Sequence, residues 1–242
     1  MKRHFLYAGL FWIVLTVIGE YAALNANFLP AGFAAEAVIV DDAFRLLMLL
    51  GTPVFTFVLA ALIYSVFAFR ARGNMVEDGA PIHTSRPMTW LWLAVTSGLA
   101  VFVIFNPGLK GLAELNANPN ADLVIQVEAL KWAWKFTYPD YNVTIEDASE
   151  LVLPVNRRVK FEIRSADVIH AFWIPAFRMK VDAMPGQTNV LYITPNQLSA
   201  SSEGDFNLRL QCAELCGTGH ARMRAEVRVV EQAEFEAWLA GQ

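Results

Sequence analysis

Three long apolar segments crowd the first 115 residues of this 242-residue chain, and they limit its architecture more than anything else in the sequence. Segment 5–24 is broken only by Glu20, while 46–69 and 90–109 carry no charge at all. Each is near or above the roughly 20 residues a helix needs to cross hydrocarbon. With 55% hydrophobic and 17% charged residues, the chain is too apolar for an ordinary soluble domain, and the excess lies in this N-terminal part. The reading is three transmembrane helices in a membrane anchor covering 1–115, in contact with lipid. Pro53 falls inside the second, where a bilayer helix tolerates it with a kink. The first segment reads as a retained helix; a signal peptide with a poor cleavage site is the other reading.

Basic residues set the orientation. Lys2, Arg3 and His4 precede the first segment, and Arg70, Arg72 and Arg86 flank or fill the connection between the second and third. The connection between the first and second carries Glu36, Asp41 and Asp42 against Arg45. The positive-inside rule places the N-terminus and the second connection in the cytoplasm. Everything after Leu109 then lies on the periplasmic or outer side of the cell's inner membrane.

Beyond Asn116 the pattern changes to short runs rich in Val, Ile, Phe and Tyr: 123–127, 132–138, 151–155, 159–164, 190–194, 206–210 and 225–230. Val159 to Arg164 alternates strictly, as a half-buried strand does. Seven such runs separated by turn residues predict a β-sandwich or barrel over 116–242, closed by a short amphipathic helix at 231–239. Trp132, Trp134, Phe136 and Tyr138, spaced by two, are placed on one strand face.

The chemistry lies in Cys212-x-x-x-Cys216-x-x-x-His220-x-x-Met223, which holds both cysteines of the chain, with His170 some forty residues upstream. Thiolate, imidazole and thioether form a soft ligand set that favours copper over magnesium, calcium or manganese. A single blue-copper ion uses two histidines, one cysteine and a weak methionine, so two thiolates are one too many for it. The set suits two copper ions bridged by both sulfurs. A disulfide would leave the histidine and methionine unexplained. Structural zinc would need a second cysteine pair, and the chain has none. Inert buried thiols sit poorly in so polar and glycine-rich a loop.

The run from Gln211 to Met223 closely resembles the dinuclear copper (CuA) loop of subunit II of haem–copper oxygen reductases, the cytochrome c oxidase type. Asp167-Val168-Ile169-His170-Ala171-Phe172, Asp182-Ala183-Met184-Pro185-Gly186 and Trp132-Ala133-Trp134 are similar to three further stretches of that family. The resemblance implies N-terminal transmembrane helices followed by an all-β cupredoxin-like Greek-key barrel. It implies His170, Cys212, Cys216, His220 and Met223 as copper ligands by side chain and Glu214 through its backbone carbonyl. The Glu214 carboxylate would reach a magnesium or manganese ion shared with subunit I, Asp182 would face that subunit, and Trp132 would be the electron-uptake residue. The implied function is electron relay from cytochrome c or a similar donor to subunit I, which reduces oxygen to water. A CuA subunit of a nitric oxide reductase-type haem–copper enzyme is the alternative.

The family usually has two helices, so a third is a departure. Lys131 is another, since the family often has a neutral polar residue there. No Cys-x-x-Cys-His is present, so no covalent c-type haem is carried, and His4 and His83 are too few for the haem sites, which must lie in another subunit. Beyond Asn116, sixteen Asp and Glu stand against twelve Lys and Arg; that acidic excess is expected to steer a basic donor. No nucleic-acid partner is expected. A phosphatase reporter active only outside the cytoplasm should give activity when fused after Gln242 and none when fused at Gly79; the reverse pattern would overturn the orientation.

Overall fold

The computed structural model describes residues 2–26, 28–70, 84–199 and 208–242. Arg72, Glu77, Asp78 and His83, and the start of the predicted 206–210 strand, lie outside the described residues. The chain divides into two compact units, Met1–Phe28 with Asp42–Gly111, and Leu29–Asp41 with Leu112–Gln242.

The first unit is helical. Helix α1 spans Lys2–Asn25, α2 Ala35–Ala68 and α3 Arg86–Val103. All three are long and apolar enough to cross a membrane. Helix α3 leads into a π-helical turn, Ile104–Leu109, broken at Asn106 where the backbone is extended (φ −138°, ψ 110°), and then into α4, Lys110–Leu115. Pro107 lacks the amide hydrogen that a continuing helix needs. Helices α1 and α2 are joined by polar contacts suited to a solvent without water. The Trp12 indole N–H donates to the Pro53 carbonyl at 2.9 Å, and the Thr16 and Thr56 hydroxyls meet at 2.7 Å.

Helix α2 begins eleven residues before the predicted apolar segment, and its first turns belong to the second unit. The sequence reading took the charges here for a connection. Two of them, Glu36 and Asp41, are held within the helix by partners from the strand-bearing unit. Glu36, 5% exposed, accepts from Arg158 Nη1 at 2.8 Å, from the Thr194 amide at 2.8 Å and from the Thr194 hydroxyl at 3.0 Å. Asp41 accepts from Arg178 Nε at 2.6 Å. Just before the helix, the Phe33 amide donates to the Ala176 carbonyl, the Ala35 amide to Thr194, and the Phe33 carbonyl accepts from Asn196. Phe33, Ala34 and Ala37 are buried in the same core as the strands.

That core lies between two five-stranded sheets. Strands β1 (Leu123–Leu130), β2 (Ala133–Tyr138), β3 (Val143–Ile145), β4 (Glu150–Pro154), β5 (Val159–Ser165), β6 (His170–Ile174), β7 (Met179–Ala183), β8 (Asn189–Ile193), β9 (Arg209–Cys212) and β10 (Arg224–Val230) precede helix α5 (Gln232–Ala240). One sheet has the order β3-β2-β1-β5-β8 and the other β4-β10-β9-β6-β7. The pairs β1/β5 and β4/β10 are parallel and the rest antiparallel. Alternation delivers Ile125, Val127, Phe136, Phe161 and Ile163 from one sheet against Leu151, Leu153, Phe172, Leu210 and Val227 from the other. The Phe161 and Phe172 rings meet across the gap at 5.1 Å between centroids, and Trp134 meets Phe172 edge-on at 6.0 Å. The buried Tyr138 hydroxyl donates to the Val152 carbonyl, tying the sheets at another point.

Strands β3, β6 and β7 were not among the predicted runs. β3 has three residues, and β6 and β7 carry His, Lys and Asp that blur the alternation. The aromatic stripe also differs from its prediction. Trp134, Phe136 and Tyr138 are buried, but Trp132 precedes β2, in the two-residue turn between Leu130 and Ala133, and is 39% exposed.

Glu36→Gln leaves the Arg158 guanidinium half-buried without its counter-charge, and breaking a buried pair of this kind costs about 3 kcal/mol. The thermal midpoint of the solubilised protein should fall by roughly 6–12 °C. An unchanged midpoint would show that the Leu29–Asp41 segment contributes nothing to the sandwich.

Candidate metal centre

Two separate stretches deliver the predicted ligand residues to one end of the sandwich. Cys212 is the last residue of β9, and the loop 213–223 carries Cys216, His220 and Met223 before β10 starts at Arg224. His170 comes from a strand and not from the loop that carries the other ligand residues. It opens β6, where register pairs it with Ala183, and it is fully buried. Strands β6 and β9 are neighbours, with Phe172 opposite Cys212, so the two residues approach by strand pairing.

The two sulfurs are 3.8 Å apart and both thiols are free. A disulfide needs about 2.05 Å. His170 Nδ1 is 3.8 Å from the Cys212 sulfur, and His220 Nδ1 is 3.6 Å from the Cys216 sulfur. The ligand atoms of His170, Cys212 and Cys216 all lie within 4.8 Å of one another. Met223 is buried in the domain core with both cysteines, and its carbonyl accepts from the Cys212 amide at 3.0 Å. The Glu214 carbonyl is turned toward Cys212 Sγ at 3.2 Å, while its carboxylate side chain is exposed. Asp182 is exposed on β7, where register pairs it with Ala171, the neighbour of His170.

Asp167 organises the site, and the sequence reading gave it no role. Its Oδ1 accepts from His170 Nε2 at 2.9 Å and from the Val168 amide at 2.6 Å; its Oδ2 accepts from the Lys131 amide at 2.8 Å. Partial burial pushes the carboxyl up, but the bonds from His170 and the two amides outweigh it and hold it at about 2. The ionised carboxylate keeps the proton on Nε2 and leaves Nδ1 facing the sulfurs as an unprotonated donor. The spacing Asp-x-x-His was the available signal. Burial, followed by the adjacent Cys212, raises the Cys216 thiol to about 11. Without metal, Cys216 therefore keeps its proton at neutral pH, and a bound ion must displace it.

Trp132 belongs to this site and not to the core. Its indole N–H donates to the Cys216 carbonyl at 3.2 Å. The ring lies flat against Gly217 and Gly219: a Cβ on Gly219 would sit 2.3 Å from ring carbons, and Gly217 has φ +116°, a conformation open to glycine. Both glycines of the Cys216-Gly-Thr-Gly-His220 run are thus explained by the indole.

A sulfur–imidazole cluster at one end of a two-sheet sandwich defines a cupredoxin-like domain of the copper-binding class. Residues 142–230 match the family model for the cytochrome c oxidase subunit II periplasmic domain. The chain is 29% identical to cytochrome c oxidase subunit 2 of Thermostichus vulcanus, over 93% of this chain and 82% of that one. It is 28% identical to the Synechocystis protein of the same name, over 94% and 80%. A solved structure, the periplasmic domain of subunit II of cytochrome oxidase from Bradyrhizobium japonicum, is 34% identical over 51% of this chain and 94% of its own, with a TM-score of 0.45. The chain belongs to the cytochrome c oxidase subunit II family. Membership makes it a subunit of a haem–copper terminal oxidase, an oxidoreductase, and implies copper at the cysteine–histidine site.

Gly219→Ala should destabilise the protein by about 2 kcal/mol, as overpacking of a closed contact does. Because the added methyl meets the indole, combining it with Trp132→Ala should recover more than about 1 kcal/mol of that loss. Strict additivity in thermal unfolding would place the clash elsewhere.

Proposed function

We propose that this chain is the electron-receiving subunit of a terminal respiratory oxidase. It takes single electrons from cytochrome c or a similar donor at a dinuclear CuA centre and passes them to the haem–copper subunit I, where oxygen is reduced to water. The observation that carries this reading is the pair of free, buried sulfurs 3.8 Å apart with one imidazole nitrogen beside each. Two copper ions bound there would supply a one-electron couple shared between them.

The chain's own residues have distinct tasks in this reading. Copper would be held by the thiolates of Cys212 and Cys216, the imidazoles of His170 and His220, the Met223 thioether and the Glu214 carbonyl. Asp167 fixes the His170 ring, and burial of His170 and both cysteines keeps water out. A cluster held this firmly by strand pairing and by one carboxylate changes little between oxidation states, so little reorganisation opposes electron exchange. Trp132 is the uptake residue: its ring is partly exposed and its indole N–H joins the Cys216 carbonyl, giving a short path from surface to ligand. The exposed Glu214 carboxylate would hold a magnesium or manganese ion together with subunit I, a hard cation suited to oxygen ligands.

Residues 1–115 act as a multi-pass anchor in the cell membrane, and 116–242 form the copper domain on the periplasmic side. The helices long enough to span and the distribution of basic residues support this placement.

Copper-loaded protein should hold two ions sharing one unpaired electron. Its electron paramagnetic resonance spectrum should show hyperfine splitting from two equivalent copper nuclei, and a single-nucleus pattern would refute the assignment. Cys216→Ser should abolish that pattern and lower oxidase turnover at least about 100-fold, in line with loss of a metal-site ligand or its support. Wild-type turnover in that variant would contradict the bridging role.

A further inference from the structure

The sulfurs of the candidate centre are closed off from solvent. His170, Cys212, Cys216 and Met223 are buried, and of the five side-chain ligands only His220 is half-buried. An ion therefore reaches the sulfurs only if part of this wall moves. His170 and Cys212 are fixed by the pairing of β6 with β7 and β9, and Asp167 holds the His170 ring. The segment from Glu214 to Arg222 is held differently. Its hydrogen bonds run within itself or to Cys212 and Met223 at its ends; the His220 amide donates to the Gly217 carbonyl at 3.1 Å and the Arg222 amide to the Gly219 carbonyl at 2.9 Å. Among the described residues, one hydrogen bond ties this segment to the rest of the domain, from the Trp132 indole N–H to the Cys216 carbonyl at 3.2 Å. The same ring lies over Gly217 and Gly219, and Gly219 is buried beneath it although neither Thr218 nor His220 is buried. Trp132 itself stands on a fixed base, since the preceding Lys131 amide is bonded to Asp167.

We infer that Trp132 is the latch of the metal loop. While the indole sits on Gly217 and Gly219, segment 214–222 is shut over the two sulfurs. When the ring lifts away, the segment swings out as a unit and admits or releases metal on the His220 side. The inference rests on the copper reading above for the identity of the ion, and it gives Trp132 a task separate from electron uptake. Opening breaks one hydrogen bond and one ring contact and leaves every strand pairing intact, so the loop opens far more readily than the sandwich unfolds. One hydrogen bond shifts such an equilibrium about 5-fold. The ring contact adds to that, and the internal bonds of the His220–Arg222 turn let the segment keep its shape while it moves. Once metal is in place, the same latch keeps water from the sulfurs and slows loss of the ion.

The test labels the metal-stripped, detergent-solubilised full chain with iodoacetamide and reads each cysteine by peptide mass, beside hydrogen exchange of the loop and of strands β1 and β5. Trp132→Phe keeps a ring and loses the donor, and should label Cys216 about 5-fold faster than the wild type. Trp132→Ala loses both, and should label it about 30-fold faster. Exchange in segment 214–222 should rise in step while β1 and β5 stay as protected as in the wild type. Equal labelling rates in all three proteins would overturn the latch. So would a loss of protection in β1 and β5 that matches the loop, because the variants would then loosen the whole sandwich. Reloading with Cu(I) bicinchoninate separates this inference from the copper reading. Wild-type protein that takes up two ions, beside variants with unchanged labelling and uptake rates, leaves the dinuclear reading standing and removes the latch. Faster labelling in the variants, beside a wild type that binds no copper, keeps the opening of the loop and removes the copper reading.

Discussion

One carboxylate holds the metal centre and its surface together. Asp167 accepts the His170 Nε2 proton on one oxygen and the Lys131 amide on the other, so the buried imidazole and the turn that carries Trp132 are fixed by the same group. Removing it would free the ring to rotate and the turn to drift. The charge is affordable because three donors converge on it, which also explains why it stays ionised far below neutrality despite partial burial. From the other side, the Trp132 indole reaches the Cys216 carbonyl and packs on Gly217 and Gly219. The two links close a circuit from His170 through Asp167, Lys131 and Trp132 to Cys216.

That circuit bears on why two thiols so close remain separate. Cys212 is held in β9 by pairing with β6 and β10, and Cys216 is held in a loop pinned by the indole. A preformed gap lined by sulfur and nitrogen on a rigid frame is what a redox metal needs, because each electron then moves with little rearrangement of its ligands. The same frame places that gap next to a ring partly open to solvent.

Much of this was legible beforehand, for particular reasons. Cys212, Cys216, His220 and Met223 lie within twelve residues, so spacing alone shows that one loop can gather them. The helices are legible because an uncharged run of 24 residues has few other fates. Strands with strict alternation, such as β5, announce themselves, while β6 and β7 do not, since His170, Lys180 and Asp182 interrupt the pattern. Position in the fold was harder to read than residue type. Trp132 follows the period of the buried Trp134 and Phe136, yet a two-residue turn removes it from their strand. Asp167 looks like any turn acid until the long-range bond to Lys131 is seen. The helical start of α2 was hidden because Glu36 and Asp41 find partners more than a hundred residues away, at Arg158 and Arg178.

Those distant partners also change what the acidic composition means. A net charge counts each carboxylate equally, but an incoming protein feels only those that are exposed, unpaired and near the contact. In this domain several carboxylates are taken up by strand-to-strand pairs, by the segment Leu29–Asp41 and by His170, while Asp147 borders the cavity beside the indole together with Lys131 and Arg222. Folding therefore sorts the charges that composition lumps together. Glu36, Asp41, Glu150 and Glu162 add to the acidity of the sequence, yet each is spent on a pair within the fold, so composition overstates the charge that an incoming protein meets.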